Sequence, residues 1–299
     1  MVMTEKILQC PVCSKSNFSP FLDVKDYFLT QESFSIQQCV SCGFRFVNPR
    51  PDKEEIDRYY QSAEYISHDA EKSDLISRIY RMVRKVSIRG KFAIVKFYCP
   101  SGQILDIGCG TGEFLKYCHS KGFKIKGIEP SEKARAYART INAIDVSEKL
   151  DSLSAMYGSF TCITMWHVLE HIHDLNELII EVKKLLSPKG IFIIAIPNSN
   201  SWDAVHYGKY WAAYDVPRHL YHFTKDTILK LASHHDLEVR KIYPQKYDAY
   251  YVSMLSEKYR TGKANYFNFI LNGLWSNFQA RKHKSGHSSL IFVLTAKNA

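Results

Sequence analysis

The sequence predicts an α/β fold behind a small cysteine-bearing unit, and three observations support this prediction. Between residues 103 and 129, a short apolar strand runs through a glycine-rich turn into a helix and then a second strand. An apolar stripe with helical spacing over 175–186 is followed by an apolar strand at 191–196. Two C-x2-C pairs stand within the first 42 residues. The 299 residues leave room for about two domains.

Composition and hydropathy are those of a globular chain. Apolar residues make up 45% of the sequence and aromatic residues 13%, which is too much for a disordered protein. No run reaches the about 18 consecutive apolar residues that a membrane-spanning helix needs, and the N-terminus has no apolar signal core. We therefore expect a cytoplasmic protein that is soluble or in peripheral contact with a membrane.

The net charge of +10 is concentrated in two segments. Residues 72–103 carry eight basic side chains and one acidic side chain, and residues 240–299 carry ten and two. Such segments favour an anionic partner, which could be a phosphate-bearing metabolite, a nucleic acid or an anionic membrane face. Solvated lysines and arginines without a partner explain the pattern equally well. The sequence leaves these alternatives open, as it does the oligomeric state.

The first 42 residues hold two cysteine pairs with a 25-residue gap between them: Cys10, Cys13, Cys39 and Cys42. Four thiolates can surround a tetrahedral Zn²⁺, and a two-residue gap lets both sulfurs of a pair face one ion. Two disulfides are the alternative, but nothing in the sequence indicates an oxidising compartment. We therefore predict a structural zinc ribbon over residues 1–51, with all four zinc ligands supplied by the protein.

Residues 52–98 are predicted to form a helical linker. Its apolar residues recur at spacings of three and four beside a row of arginines and lysines, and they are Leu75, Ile79, Met82, Val83 and Val86. We expect this helix to cover one edge of the core with its cations in water. A helix that lies on a membrane surface is the less favoured alternative.

The most informative segment is the glycine turn at 108–112, which follows the strand at 103–107. Positions without a side chain let the backbone bend tightly and let a ligand lie against it, and free amides at the helix start offer hydrogen-bond donors. The next strand, at 124–128, ends in Glu129, where a carboxylate can bind both hydroxyls of a ribose. Together these features predict a site for a nucleotide-like cofactor.

The spacing of the glycines distinguishes two kinds of cofactor. A dinucleotide site uses G-x-G-x-x-G and places a pyrophosphate at the helix N-terminus. Here Glu113 and Phe114 follow instead, and a carboxylate is a poor neighbour for a pyrophosphate. The stretch 106–112, with Glu129 as its acidic partner, resembles the class I S-adenosylmethionine-dependent methyltransferase family. The resemblance extends over about residues 100–240.

Two further stretches strengthen this resemblance. Residues 160–171 are similar to the fourth strand of that family and its exit loop, and residues 217–224 resemble a subgroup with an N-terminal zinc ribbon. That subgroup is often associated with methylation of sugars, lipids and other small molecules. The resemblance thus implies a small-molecule acceptor, with an anionic or lipid-linked sugar as our leading class and nucleotide-sugars included. An RNA methyltransferase and a non-catalytic binding module are the alternatives.

The family topology implies a seven-stranded, mostly parallel Rossmann-like sheet over residues 99–299, with helices on both sides and an antiparallel last strand. The last two strands are expected at 238–243 and 289–296, which leaves an insertion at 245–287 with nine aromatic side chains. Connections this long are uncommon in compact domains unless they are functional. A helical lid over the acceptor, a dimer interface and ordinary core packing all explain the aromatic residues.

The resemblance also implies which residues bind the donor. The glycines would border its methionine part, Asp106 would steady the turn or the donor's amino group, and Glu129 would bind the ribose. Trp166 and His167 would lie beside the sulfonium and the acceptor, because ligands of open α/β sheets bind outside the carboxyl ends of the strands. The predicted donor-binding residues are Asp106, Gly108, Cys109, Gly110, Gly112, Glu129, Pro130, Trp166 and His167.

Three histidines are candidates for the base that removes the acceptor's proton: His219, His222 and His167. His219 is the first choice because it stands in an aromatic and basic loop, although a purely structural role of each ring stays open. Residues 167–171 also spell H-x-x-E-H, a zinc-peptidase pattern, but no third ligand is evident. A similar E-x-x-E-H stretch is implicated in metal binding in ubiquinone-type O-methyltransferases. Since His167 replaces the first carboxylate, we do not expect a second metal.

Overall fold

The computed structural model describes residues 3–61, 75–263, 266–282 and 286–297. Within its helices, residues 75–81, 266–270 and 281–282 are described by their backbone alone. In this part of the chain no helix is both long and apolar enough to cross a membrane.

The described residues form thirteen β-strands and eight α-helices, numbered in chain order. The strands are β1 Thr4–Glu5, β2 Phe18–Lys25, β3 Ser33–Cys39, β4 Arg45–Val47, β5 Arg50–Pro51, β6 Gln103–Ile107, β7 Lys124–Ile128, β8 Val146–Ser147, β9 Phe160–Trp166, β10 Leu186–Pro197, β11 Tyr221–His222, β12 Leu237–Pro244 and β13 Ser289–Ala296. The helices are α1 Leu75–Tyr98, α2 Glu113–His119, α3 Glu132–Thr140, α4 Leu175–Leu185, α5 Trp202–Tyr207, α6 Lys225–His234, α7 Asp248–Thr261 and α8 Tyr266–Lys282.

Seven of these strands form the central sheet in the order β12-β13-β10-β9-β6-β7-β8. The pairs from β10 to β8 are parallel, whereas β13 runs antiparallel to both β10 and β12. The predicted seven-stranded, mostly parallel sheet with an antiparallel last strand is therefore confirmed. Parallel strands that are covered on both faces bury nearly every side chain, as in the apolar run at 191–196.

Local sequence signals account for several of the surrounding helices. The apolar stripe of α4 is buried along its whole length, as its spacing of three and four residues predicts. The side chain of Thr224 accepts a hydrogen bond from the amide of Thr227 and caps the start of α6. The helical stretch expected after residue 52 is a short 3-10 helix at Ile56–Tyr60.

The N-terminal cysteine region forms a four-stranded sheet in the order β11-β4-β3-β2. The 25-residue gap between the cysteine pairs contains the hairpin of β2 and β3. The strand β11 comes from much later in the chain and pairs with β4. A buried ion pair between Arg218 and Asp26, at 2.8 Å, adds a second connection between the two parts of the chain.

The position of the α1 side chains differs from the prediction. Met82 is 66% exposed and Val86 is 41% exposed, so this part of the apolar stripe does not cover the core. The helix is instead anchored by its last turns, where Val95 and Cys99 are buried. Leu75 and Ile79, which belong to the predicted stripe, lie outside the side chains described. Helical periodicity cannot distinguish a core from a cavity wall, and Val86 lines a cavity described below.

The insertion at 245–287 is helical in its described part and consists of α7 and α8, which pack against each other. The side chains of Tyr266, Phe267 and Phe269 lie outside those described. Its proposed role as a lid over the acceptor stays a prediction.

Candidate functional site

Three neighbouring strands bring the predicted donor-binding residues to one edge of the sheet. β6 lies between β7 and β9, and Asp106 stands opposite Gly127 on one side and Thr164 on the other. The glycine turn, Glu129 and Trp166 lie at or just beyond the carboxyl ends of these three strands. We call this group the donor edge. Its location follows from the rule that ligands of open α/β sheets bind outside these strand ends.

The glycine turn requires glycine for two different reasons. Gly108, Gly110 and Gly112 have φ values of 72°, 55° and 81°, in the left-handed region that side chains disfavour. A Cβ atom on Gly108 would lie 2.4 Å from Cγ2 of Val168, whereas one on Gly110 would meet no atom within 4 Å. The turn therefore packs closely against the protein at Gly108 and faces open space at Gly110. This is a surface against which a ligand can lie.

Glu129 is joined directly to the glycine turn. Its Oε2 atom accepts a hydrogen bond from the amide of Gly110 at 2.9 Å, and its Oε1 atom accepts one from the amide of Ser131, also at 2.9 Å. Each carboxylate oxygen has a further lone pair for a ribose hydroxyl. The neighbouring Pro130 is exposed. The sequence analysis paired Glu129 with the turn through a shared ligand, but not through this hydrogen bond.

Asp106 and Cys109 are held inside the donor edge. Asp106 is 2% exposed and accepts a hydrogen bond from the hydroxyl of Thr164 at 2.6 Å. Burial raises the pKa of this carboxyl group to about 7, so it titrates near neutral pH. The amides of Gly108 and Cys109 both donate to the carbonyl oxygen of Ile128, at 2.7 and 3.0 Å, which fixes the start of the turn.

Trp166 lies between a cation and an aromatic ring. The Nζ atom of Lys91 is 4.7 Å from the centre of its ring, and Phe114 meets it edge to face with centroids 5.4 Å apart. Its buried indole N–H has no hydrogen-bond partner among the described residues. The sequence analysis placed all the cations of α1 in water and missed Lys91. Its spacing from Ser87 and Ile94 was the available signal, since residues three and four apart share a helix face.

His167 connects the donor edge to the insertion. Its Nε2 atom is 3.0 Å from a carboxylate oxygen of Asp248, and its Nδ1 atom is 3.6 Å from one of Glu170. Burial alone would lower the pKa of His167, but the two carboxylates outweigh it and raise the pKa to about 10. The ring is therefore protonated at neutral pH in this arrangement. No motif in the sequence predicts that Asp248 and the nearby Gln245 lie beside His167.

His219 and His222, the other two histidines predicted as bases, lie in different surroundings. His219 lies near Glu170 and His171, and one ligand atom from each of the three lies within 4.8 Å of the others, so this group could hold a metal ion. The sequence analysis found no third ligand because His219 is 48 residues from His171 along the chain. His222 is buried in β11, where burial lowers its pKa well below the usual value. The roles of His219 and His222 as bases stay predictions.

A cavity of about 970 Å³ lies next to the donor edge, between α1, the residues after β12 and α8. We call it the insertion cavity. Most of its wall is apolar or aromatic, while Lys91, Gln245 and Lys246 contribute polar groups. Its lining includes Val86, Ser87, Gly90, Lys91, Ile94, Tyr243, Pro244, Gln245, Tyr247, Tyr250, Leu271, Leu274, Trp275, Asn277, Phe278 and Ile291. Gln245 links the cavity to the His167–Asp248 pair, because its side-chain amide donates a hydrogen bond to Oδ1 of Asp248 at 2.8 Å.

The four N-terminal cysteines converge on one point. The sulfur atoms of Cys10 and Cys42 are 3.5 Å apart, as are those of Cys13 and Cys39, and all four lie within 4.8 Å of one another. None of the four forms a disulfide. Burial raises the pKa of the Cys42 thiol to about 11, whereas at Cys39 burial is outweighed by hydrogen bonds, which lower the pKa. A bound cation would favour the thiolate form of all four cysteines. The donor set and its closed arrangement fit a structural zinc ion.

Comparisons with known proteins agree with this geometry. A family model described as a methyltransferase domain matches residues 69–242, which is more than half of the chain. A ubiquinone biosynthesis O-methyltransferase from Rickettsia akari is 27% identical over 217 residues, which cover 66% of this chain and 83% of that protein. The enzyme of the same name from Rickettsia conorii is 27% identical over 128 residues, and the match covers 40% of this chain but less than half of that relative, 43%.

Solved structures show the same fold at low sequence identity. A SAM-dependent methyltransferase from Archaeoglobus fulgidus superposes with a TM-score of 0.50 and 16% identity, covering 71% of this chain and 93% of that protein. At this identity the similarity concerns the arrangement of the sheet and its helices.

Proposed function

Because the chain belongs to the class I S-adenosylmethionine-dependent methyltransferase family, we propose that it transfers a methyl group to a small-molecule acceptor bound in the insertion cavity. The donor supplies a methyl group on a sulfonium; the acceptor's electron pair forms the new bond as the carbon–sulfur bond breaks. The protein has to align the two molecules and exclude water.

The observation that carries this proposal is the junction between the donor edge and the cavity. Trp166 belongs to the donor edge, and Lys91, which lies over its ring, lines the cavity. A donor held by the glycine turn and Glu129 would thus present its sulfonium beside the cavity. His167 would act as a positioning residue there, because both of its ring nitrogens face carboxylates.

We propose that the acceptor carries an apolar portion, with lipid-linked sugars as the leading class. Four side chains of α8 that face the cavity are between 47% and 52% exposed: Leu271, Leu274, Trp275 and Phe278. Half-exposed apolar groups around a concave site are typical of a binding surface for an apolar ligand. The R. akari and R. conorii relatives are named for ubiquinone biosynthesis, which is consistent with an acceptor of lipid character.

A turnover assay tests this function. Purified protein would be incubated with S-adenosylmethionine and a panel of prenylated phenols, polyprenyl-linked sugars and nucleotide-sugars, and release of S-adenosylhomocysteine would be measured. We expect release with at least one acceptor that bears an apolar chain, and none with a Gly108→Val variant. A protein that binds the donor but methylates no member of the panel would contradict the proposal.

We also propose that the cysteine cluster holds one structural zinc ion. Metal analysis of protein purified under reducing conditions should find one zinc per chain bound to this cluster. A Cys10→Ser/Cys42→Ser variant should lose that zinc and melt at a lower temperature, because metal binding contributes to folding. A Cys118→Ser variant, changed at a buried cysteine outside the cluster, should keep the zinc. Equal zinc content in all three proteins would contradict this assignment.

A further inference from the structure

Two cations line the largely apolar insertion cavity, and Lys246 is exposed to solvent whereas Lys91 is half-buried. Lys91 projects from α1 on the side that carries Ser87 and Ile94, and all three line the insertion cavity. Its Nζ atom lies 4.7 Å from the centre of the Trp166 ring. A lysine at this point is unexpected, because removing an ammonium group from water is costly unless a partner compensates it.

The positive charge of Lys91 is not neutralised by the protein in its described part, where no carboxylate forms an ion pair with it. Burial lowers the pKa of Lys91 below its usual value, although the acidic groups Asp106 and Asp248 act on it from a distance in the opposite direction. Asp248 is already paired with His167 at 3.0 Å, and Asp106 accepts the hydroxyl hydrogen bond of Thr164. Both acids are thus engaged elsewhere.

The other basic side chains described on α1 do not share this environment, and Lys96 donates a hydrogen bond to the carbonyl oxygen of Pro100. Arg84 pairs with Glu113 at 2.7 Å, and Lys85 and Arg89 are exposed to solvent. Lys91 is therefore the cation of this helix that faces the cavity without an ion pair, among the residues described. The part of the wall that α8 contributes is mostly apolar and includes Leu274, Trp275 and Phe278.

We propose that the insertion cavity binds an amphiphile whose anionic head group pairs with Lys91 and whose apolar chain lies against α8. The charge and the apolar wall are complementary to the two ends of such a molecule. This proposal specifies the acceptor class of the proposed function, and methyl transfer to such a ligand rests on that function. The binding itself does not depend on the donor.

Binding of simple amphiphiles to the full chain tests this proposal without any turnover. Decyl phosphate, decanoate and decanol share an apolar chain, and only the first two are anionic. Their affinities would be measured by calorimetry below the micelle concentration. We expect the wild type to bind decyl phosphate about tenfold more tightly than decanol, because one hydrogen bond between charged groups contributes about this factor to the affinity. If decanoate also binds tightly, the cavity recognises an anionic head group in general and not phosphate alone.

Two matched substitutions on α1 isolate the head-group contact. Lys91→Met keeps the apolar stem, so it should remove the preference for the anions and leave the affinity for decanol unchanged. Lys85→Met removes the same charge from an exposed position of the same helix and should keep the preference. Equal affinities for decanol and decyl phosphate in the wild type, or equal losses in the two variants, would overturn the proposal. Failure of the methyltransferase assay alone would leave these binding results intact.

Discussion

The donor edge and the insertion cavity meet at Trp166 and Lys91, yet they are built in opposite ways. The donor edge is assembled from strand ends and turns between residues 106 and 166, and its key groups are buried or bonded to one another. The cavity is assembled from α1, the residues after β12 and α8, and much of its α8 wall is half-exposed. One region is preformed around backbone geometry, and the other is a surface of adaptable side chains.

This difference indicates how the two regions tolerate change. A site defined by backbone conformation is disrupted where an added Cβ atom meets closely packed neighbours, as it would at Gly108. A site defined by apolar area loses affinity gradually as side chains are shortened. We therefore expect changes at the donor edge to have larger effects than equivalent changes in the cavity.

The largest effect is expected from Gly108→Ala. The new Cβ atom would lie 2.4 Å from Cγ2 of Val168, and the residue would keep a φ of 72°. Overpacking and backbone strain together should cost about 2–4 kcal/mol. Thermal unfolding and donor titration should show a lower melting temperature and loss of measurable donor binding.

Gly110→Ala is the matched control for this change. It introduces the same methyl group at a φ of 55°, but with no atom within 4 Å. The substitution should lower the free energy of unfolding by only about 1 kcal/mol, from backbone strain alone. Equal destabilisation by the two substitutions would show that close packing at Gly108 is not what defines the donor edge.

A smaller effect is expected from the titration of Asp106. Burial raises its pKa to about 7, and a cationic donor nearby favours the ionised form and lowers that pKa. Donor affinity should therefore fall as the pH falls through 7, by up to about tenfold between pH 8 and pH 6, which is the limit for a donor that binds only the ionised carboxylate. Calorimetry at a series of pH values measures this dependence.

An Asp106→Asn variant separates this effect from titration of the donor itself. The variant should keep only the pH dependence that the donor contributes. The same slope in the variant and the wild type would place the titrating group elsewhere.

The smallest effect is expected in the cavity, from Trp275→Ala. The side chain is 49% exposed, so the substitution removes only part of its contact with a ligand chain. We expect affinity for decanol and decyl phosphate to fall by the same factor, about three- to tenfold, because only the apolar contact is lost. Donor affinity should stay unchanged. A loss of donor binding in this variant would mean that the two regions are not separable.

The same contrast explains what the sequence could predict. The strands at 103–107 and 124–128, the glycine turn and the cap of α6 are local patterns, and the structure reproduces them. The contact of Asp248 with His167 and the pairing of β11 with β4 join segments far apart in the chain. The spacing of apolar residues along the sequence does not indicate which distant segments will be in contact. For the same reason the prediction that the apolar stripe of α1 covers the core was wrong in its exposed part. An apolar helix face indicates that the face packs against something, but not against which surface.

Calorimetric titration with S-adenosylmethionine tests the central claim most directly, namely that the donor edge binds this cofactor through Glu129. The wild type should bind one donor per chain. Glu129→Gln should weaken binding about tenfold or more, since it removes a charged hydrogen-bond acceptor for the ribose hydroxyls. Glu132→Gln, an exposed carboxylate on α3, should leave binding unchanged. A wild type that binds no donor, or equal affinities in all three proteins, would contradict this account.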